Sequence, residues 1–390
     1  MKTTDVLIVG GGPAGSTCAW ALRRLGADVV VWDRKAFPRD KICAGWITPH
    51  VVAALELDLE AYAAGGRTCQ PIVGFQVSRQ GNREARVRYP RPVSYGIRRR
   101  EFDHYLLERC GAEARLGEPL RTLERRDGCW VVNGVVRAPL LIGAGGHFCP
   151  VAQRLGAELG HGEPVVAAQE SEFPLSPAQA RACRVEPDLP EIFFTRDLKG
   201  YGWVFRKGDY LNVGLGRQGN EKLAAHVGEF LHWLGDRGKV PAELGAKPCG
   251  HPYLLYGQAT RPLLGDAALL IGDAAGLAYP KSGEGIRPAV ESALLAAATV
   301  AEAGGSCDQA RLAPYARRIT ERFGPRTAAP SLLDLLPERL LAGLAGRLFG
   351  TPWFARRVVL DDWFFHRAQP PLVPPEATRQ IDDRPRVAAT

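Results

Sequence analysis

Residues 5–33 read DVLIVGGGPAGSTCAWALRRLGADVVVWD. Val6 to Val9 is an unbroken apolar run of the kind a strand buried on both faces requires, and glycines at 10, 12 and 15 follow it directly. Ser16 to Leu25 has helical character, Gly26 ends it, and Ala27 to Trp32 is a second buried strand finishing at Asp33. Each piece has a task in gripping a dinucleotide. Gly10 makes the tight turn, Gly12 lets a pyrophosphate approach the backbone, and Gly15 permits close packing of helix on strand. Pro13 and Ala14 lie between these glycines, where the helix start offers amide hydrogens to phosphate. Asp33, with Arg34 after it, lies about 20 residues beyond the first glycine, where a carboxylate accepts ribose hydroxyls. Strand, turn, helix, strand and acid together predict a Rossmann-type unit.

A second G-x-G-x-x-G, at Gly214, Gly216 and Gly219, lies in YLNVGLGRQGNEKLAAHVGEF. The helix that follows runs to Trp233, and the next acid, Asp236, sits in a turn with no strand before it. Without the strand-helix-strand context this copy reads as a strand end and a helix start, so no separate nicotinamide domain is expected.

The remaining composition narrows the class. The chain has 390 residues and a net charge of +8, but its basic residues are spread out, which argues against nucleic acid. Nine cysteines are scattered from Cys18 to Cys307 with no C-x-x-C pair and no zinc-like spacing, so no metal is expected and a reducing cytoplasm is the expected location. The N-terminus lacks signal-peptide character, and no apolar run reaches the roughly 20 residues of a spanning helix.

Residues 270–289 read LIGDAAGLAYPKSGEGIRPA. A carboxylate at a buried strand end, followed by glycines that open an alanine-rich helix from about Ile286, marks close approach of backbone to a ligand. With the N-terminal unit, this segment resembles the FAD-dependent oxidoreductases built like para-hydroxybenzoate hydroxylase, and among them the geranylgeranyl reductase family. The resemblance covers about 1–325. It implies that the strand ending in Gly272-Asp273 returns to the FAD site, that Asp273 meets the ribityl chain, and that Pro280, Gly283, Gly285 and Ile286 line the isoalloxazine.

Four more segments carry the resemblance. DRKAFPRDKICAGWITP (33–49) is similar to a Lys-x-Cys-Gly stretch that brings a cysteine to the flavin face, here Cys43, with Ala44-Gly45 in place of an immediate glycine and Trp46 beside it. In that role the thiol gives a proton or positions a water, although buried cysteines are usually inert. YGIRRREFDHYLLERCGA (95–112) places Arg99 where the family has an arginine near the diphosphate. APLLIGAGGHFCPVAQRLG (138–156) departs from a Gly-Ala-Asp-Gly motif, with Gly145 at the aspartate position and His147 or Cys149 as candidates to compensate. GYGWVFRKGDYLNVGLG (200–216) is similar to the family's tyrosine-x-tryptophan-x-phenylalanine segment, with Arg206 where proline is usual. Alternation puts Tyr201, Trp203 and Phe205 on one face, either as a wall for an apolar substrate or as sheet packing. Flavin-dependent halogenases have a related segment, but they need a lysine in the substrate domain. No lysine occurs between Lys41 and Lys199 and the first tryptophan position is Tyr201, so halogenation is disfavoured.

The expected architecture is α/β: a discontinuous FAD domain from 1–65, 93–157 and 259–325, with a substrate domain of mostly antiparallel sheet from 66–92 and 158–258. A helical tail from 326 onward is rich in leucine and aromatics and ends in a loose proline-rich stretch. Residues 331–367 are either helices docked on the body or a peripheral membrane contact. The expected function is FAD-dependent reduction of carbon-carbon double bonds in a prenyl or other apolar, lipid-like substrate, with hydride from flavin N5 and NAD(P)H as donor. A monooxygenase acting on an aromatic or lipid substrate and a non-catalytic flavin-binding sensor are the alternatives. The sequence leaves the oligomeric state open.

Overall fold

The computed structural model describes residues 1–159, 163–219, 222–305, 307–326 and 347–376. Val6–Val9 lies inside a six-stranded sheet ordered Leu264–Gly265, Ala268–Leu270, Leu140–Gly143, Val6–Val9, Val29–Asp33, Glu113–Leu116. Neighbours run parallel except for the edge hairpin of the first two. Both faces are covered, so the central strands are apolar throughout, with Leu7, Ile8, Val30, Leu141 and Leu269 fully buried.

Register in this sheet positions everything functional. Val9 pairs with Trp32 and with Gly143, and Gly143 pairs with Leu270, so these strands end level. The chain leaves that single edge at Gly10, Ala144 and Ile271, and Asp33 finishes the neighbouring strand. Open α/β sheets bind ligands beyond the carboxyl ends of their strands. The helix after the first strand, Pro13–Arg24, starts three residues earlier than its composition indicates because Pro13 is suited to a first helical position. It packs against the long helix Ile286–Glu302.

A second sheet has seven strands ordered Cys249–Leu254, Val165–Pro174, Tyr210–Gln218, Gly200–Lys207, Glu191–Phe194, Gly74–Arg79, Ala85–Arg88. All neighbours are antiparallel except Glu191–Phe194 with Gly74–Arg79. One face packs under the helix Leu223–Gly235 through Phe193, Val213 and Phe230. The other carries Trp203, Phe205 and Phe194. Glycines make this double packing possible. A Cβ on Gly202 would stand 2.5 Å from the Phe230 ring, and one on Gly214 would stand 2.4 Å from the Trp203 indole. The second G-x-G-x-x-G therefore begins inside a strand, as a bed for a tryptophan.

The aromatic tail completes that second face. Phe364 lies 5.9 Å from Trp46 and 5.5 Å from Tyr201 between ring centroids, Phe365 lies 5.6 Å from Phe75, and Phe349 stacks on Phe194 at 4.3 Å. Trp353 is 70% exposed. Residues 327–346, which hold most of the leucine-rich stretch considered for membrane contact, and 377–390 are outside the described residues. Among the described residues no helix is long and apolar enough to cross a membrane. Phe364→Ala should lower stability by about 3–5 kcal/mol, the usual loss for a buried phenylalanine. Urea titration of the flavin-free protein measures it, and a loss below about 1 kcal/mol would mean that the tail is not part of this core.

Candidate active site

The level strand ends, two helix starts and the aromatic face of the second sheet enclose one cavity of about 400 Å³. At its nucleotide end, Gly10 has a φ of +115°, and a Cβ there would stand 2.3 Å from the Ala144 carbonyl oxygen. A Cβ on Gly15 would stand 1.8 Å from the Gly10 carbonyl oxygen, so neither position admits a side chain. Gly12 is different. Its Cβ would meet nothing nearer than Arg39 Nη2 at 3.2 Å, and Gly12, Pro13 and Ala14 line the cavity. Gly12 caps the helix without a side-chain hydrogen bond, and no acid occupies the first turn, so the helix start is left to attract an anion. Asp33 also lines the cavity. One of its oxygens accepts the Gly11 N–H at 2.8 Å and the other the Lys35 N–H at 2.8 Å, which fixes the carboxylate's direction. Arg34 borders the same end.

The adjoining wall comes from the second glycine-rich turn. Gly272 has a φ of +59° and fits between Ala14 and Ala289, its N–H donating to Ser292 Oγ at 3.0 Å. Asp273 follows on a single 3₁₀ turn and faces the cavity, with Oδ1 3.1 Å from where a Gly285 Cβ would lie. Gly285 caps the long helix, again with no side-chain hydrogen bond and no acid in the first turn. Two uncapped helix N-termini thus open side by side into one cavity. That donor set fits FAD, whose diphosphate and flavin pyrimidine ring are both electron-rich.

Arg261 ties these loops together. Fully buried, it grips Glu163 through two contacts at 2.6 and 2.7 Å and donates to the carbonyls of His147 at 2.7 Å and Asp273 at 3.3 Å. His147 Nδ1 is 3.4 Å from Arg261 Nη2, and its ring meets Phe148 edge-on. A Cβ on Gly145 would already lie 3.2 Å from Cys149 Sγ, so this loop leaves little room for the aspartate of the family motif and is held by Arg261.

Charge in the cavity is concentrated beside Asp273. Arg99 is buried with both contacting nitrogens on Asp103, at 2.7 and 2.8 Å, and Arg39 approaches the same carboxylate at 3.3 Å. Its neighbours are engaged elsewhere: Arg98 with Glu101 and Glu172, Arg100 in solvent beside Asp40. Burial pulls Lys41 down to about 8, partly opposed by the Asp273 carboxylate. Burial and then Lys41 pull His251 down to about 3, so it is neutral. Burial raises Glu170, one oxygen of which accepts the Cys43 N–H at 2.6 Å.

The other end is apolar. Cys43, Trp46, Tyr201, Trp203 and Tyr253 line it together with Ile286 and Gly283. Trp203 is fixed by a bond from Nε1 to Asn212 Oδ1 at 2.7 Å, and the Tyr201 hydroxyl donates to the Ser282 carbonyl. Two expected lining residues are placed elsewhere. Phe205 points to the same side as Tyr201 and Trp203 but is fully buried behind Trp46, at 5.5 Å, and does not line the cavity. Pro280 is exposed where the turn swings outward, and Gly15 and Gly272 act one layer behind the lining. Sequence reasoning passed over Arg39, Lys41, Glu170, His251, Tyr253 and Glu284. Lys41 and Glu284 stood within quoted motifs, whereas Glu170, His251 and Tyr253 are on adjacent antiparallel strands and give no local signal.

Residues 5–88 match the profile described as FAD dependent oxidoreductase. The menaquinone reductase of Mycobacterium tuberculosis is 31% identical over 358 residues, covering 86% of this chain and 84% of that protein. Digeranylgeranylglycerophospholipid reductase 2 of Methanopyrus kandleri is 29% identical over 369 residues, covering 82% and 83%. Among solved structures, a geranylgeranyl bacteriochlorophyll reductase-like protein from Thermoplasma acidophilum has a TM-score of 0.74 at 21% identity, covering 93% of this chain and 97% of that one. The halogenase PltM in complex with phloroglucinol and FAD shares the fold at a TM-score of 0.66 and 16% identity, covering 90% and 78%. Fold, site and relatives agree on an FAD-dependent oxidoreductase. The chain belongs to the geranylgeranyl reductase family of these enzymes.

Asp273→Ala should weaken FAD binding by roughly 10- to 100-fold, the loss of a hydrogen bond to a charged group worth about 1.5–3 kcal/mol. Fluorescence titration of the flavin-free protein with FAD measures this. Unchanged affinity would remove Asp273 from the cofactor site. Arg261→Met should cost about 3–5 kcal/mol by leaving Glu163 buried without its partner, measured by thermal unfolding.

Proposed function

We propose that the protein reduces isolated carbon-carbon double bonds in a polyprenyl or similarly apolar lipid substrate bound between the second sheet and the flavin. The wall made by Trp46, Tyr201, Trp203 and Tyr253 carries this reading. An apolar compartment directly against the isoalloxazine-binding turn suits a hydrocarbon chain better than a polar substrate. Relatives named for a digeranylgeranyl phospholipid and for menaquinone, both lipids, support the same substrate class.

Bound FAD, once reduced, supplies a hydride from N5, and the second carbon then needs a proton. The electrons reach it from NAD(P)H. Trp46 supports the substrate chain from one side, backed by Phe75, Phe205 and Phe364. Cys43 stands at the junction of the apolar and charged ends, its backbone tied to Glu170, and orders the reacting end of the substrate. Arg39, Lys41 and Arg99 favour the anionic end of the cofactor. The exposed Trp353, with Arg347, Arg356 and Arg357 on the same exposed segment, gives the tail a peripheral hold on an anionic membrane from which such a lipid is drawn.

Anaerobic incubation of the chemically reduced protein with a digeranylgeranyl phospholipid in detergent micelles should reoxidise the flavin and give a product heavier by two hydrogens for each bond reduced. A flavin that stays reduced, or a product that appears only with oxygen and contains it, would overturn the reading. Cys43→Ser should keep FAD bound and lower kcat and kcat/KM together. Normal turnover would take Cys43 out of the mechanism.

A further inference from the structure

We propose that Glu284 is the proton donor of this reduction, its carboxyl giving a proton to the alkene carbon that does not take the hydride. The inference rests on the double-bond-reductase reading above. Glu284 lies between Gly283 and Gly285 on the turn that opens the long helix, and it lines the cavity. Both carboxyl oxygens are buried, and no side chain among the described residues donates a hydrogen bond to either. An ionised carboxylate so placed would be costly, whereas a neutral carboxyl is tolerated and keeps a transferable proton.

Burial, more than the neighbouring charges, favours the neutral form. Burial pushes Glu284 up to about 8; the Arg287 guanidinium opposes the shift, Glu291 reinforces it, and the backbone N–H of Arg287 opposes it only weakly. The other groups facing it are Tyr201 from the aromatic strand and Tyr279 from the loop before the turn. Neither tyrosine is a rival acid at neutral pH. Burial raises both, the Tyr201 hydroxyl is committed to the Ser282 carbonyl, and the Tyr279 hydroxyl faces Glu291 Oε2 at 3.3 Å. A carboxyl held neutral against aromatic walls is the usual arrangement for a general acid.

A charged cluster adjoins Glu284 through Arg287. Glu291 accepts from Arg287 at 2.7 Å and from Arg322 at 3.0 Å. His50 and His366 lie near the same groups, both pulled down first by burial and then by Arg287, and both are half-buried. In the full step the π bond breaks, one carbon takes the hydride and the other takes the Glu284 proton. The alkene gains two electrons, the flavin loses them, and the Glu284 carboxylate recovers a proton from solvent.

The test is single-turnover reoxidation of the dithionite-reduced holoenzyme by a digeranylgeranyl phospholipid in micelles. It is paired with infrared spectra of the oxidised holoenzyme at neutral pH. Glu284→Gln should keep FAD occupancy and melting temperature, lose the neutral-carboxyl C=O band seen in the wild type, and slow reoxidation by at least about 100-fold. Glu284→Asp should recover part of the rate. A Glu284→Gln variant that reoxidises at the wild-type rate, or a wild-type spectrum with no such band, overturns the proton-donor role and leaves the reductase reading standing. A wild-type protein that no prenyl lipid reoxidises overturns both.

Discussion

Everything in this protein depends on parallel strands ending level at one sheet edge. Backbone register alone brings Gly10, Asp33, Ala144 and Gly272 to the same height, although they are separated by more than half the chain. Two helices then begin at that edge without side-chain caps, so a cofactor with an anionic middle and an electron-rich ring system completes both. The glycines are the cost of this arrangement. They remove side chains where backbone, helix and ligand compete for the same space.

From that edge the cavity grades from charged to apolar. Arg39, Lys41 and Arg99 gather near Asp273, whereas Trp46, Tyr201, Trp203 and Tyr253 close the far end. The gradient matches the two demands of the proposed chemistry, an anionic nucleotide and a hydrocarbon. It also sets protonation states: burial neutralises His251 and Glu284, while Lys41, lowered to about 8 by burial and supported by Asp273, stays mostly charged at neutral pH. The tail belongs to the same design, since Phe364 backs both Trp46 and Tyr201 from outside the sheet.

The nucleotide end was legible in the sequence because it is local. Val6 to Asp33 holds a complete strand-turn-helix-strand unit, and periodicity together with glycine placement identifies it. The turn at 272–286 was legible through its glycines and its resemblance to a family. The substrate end was only half legible. Alternation put Tyr201, Trp203 and Phe205 on one face, but it could not show that Trp46 would come between Phe205 and the cavity, because that depends on a strand from elsewhere in the chain. For the same reason Glu170, His251 and Tyr253 carried no signal. A strand sequence shows which residues share a face and not what lies opposite. At Gly145 the motif offered only His147 and Cys149 to compensate for the missing aspartate; the tether that holds its loop, Arg261 with Glu163, comes from outside the motif.

A crystal structure of the protein with bound FAD tests the account most directly. It should place the diphosphate over the amides following Gly12, the ribityl chain at Asp273, and the isoalloxazine against Gly283 to Ile286, with the aromatic wall facing the reactive ring. FAD bound on another surface, or crystals grown with FAD in which Gly12 and Asp273 contact no common molecule, would contradict it.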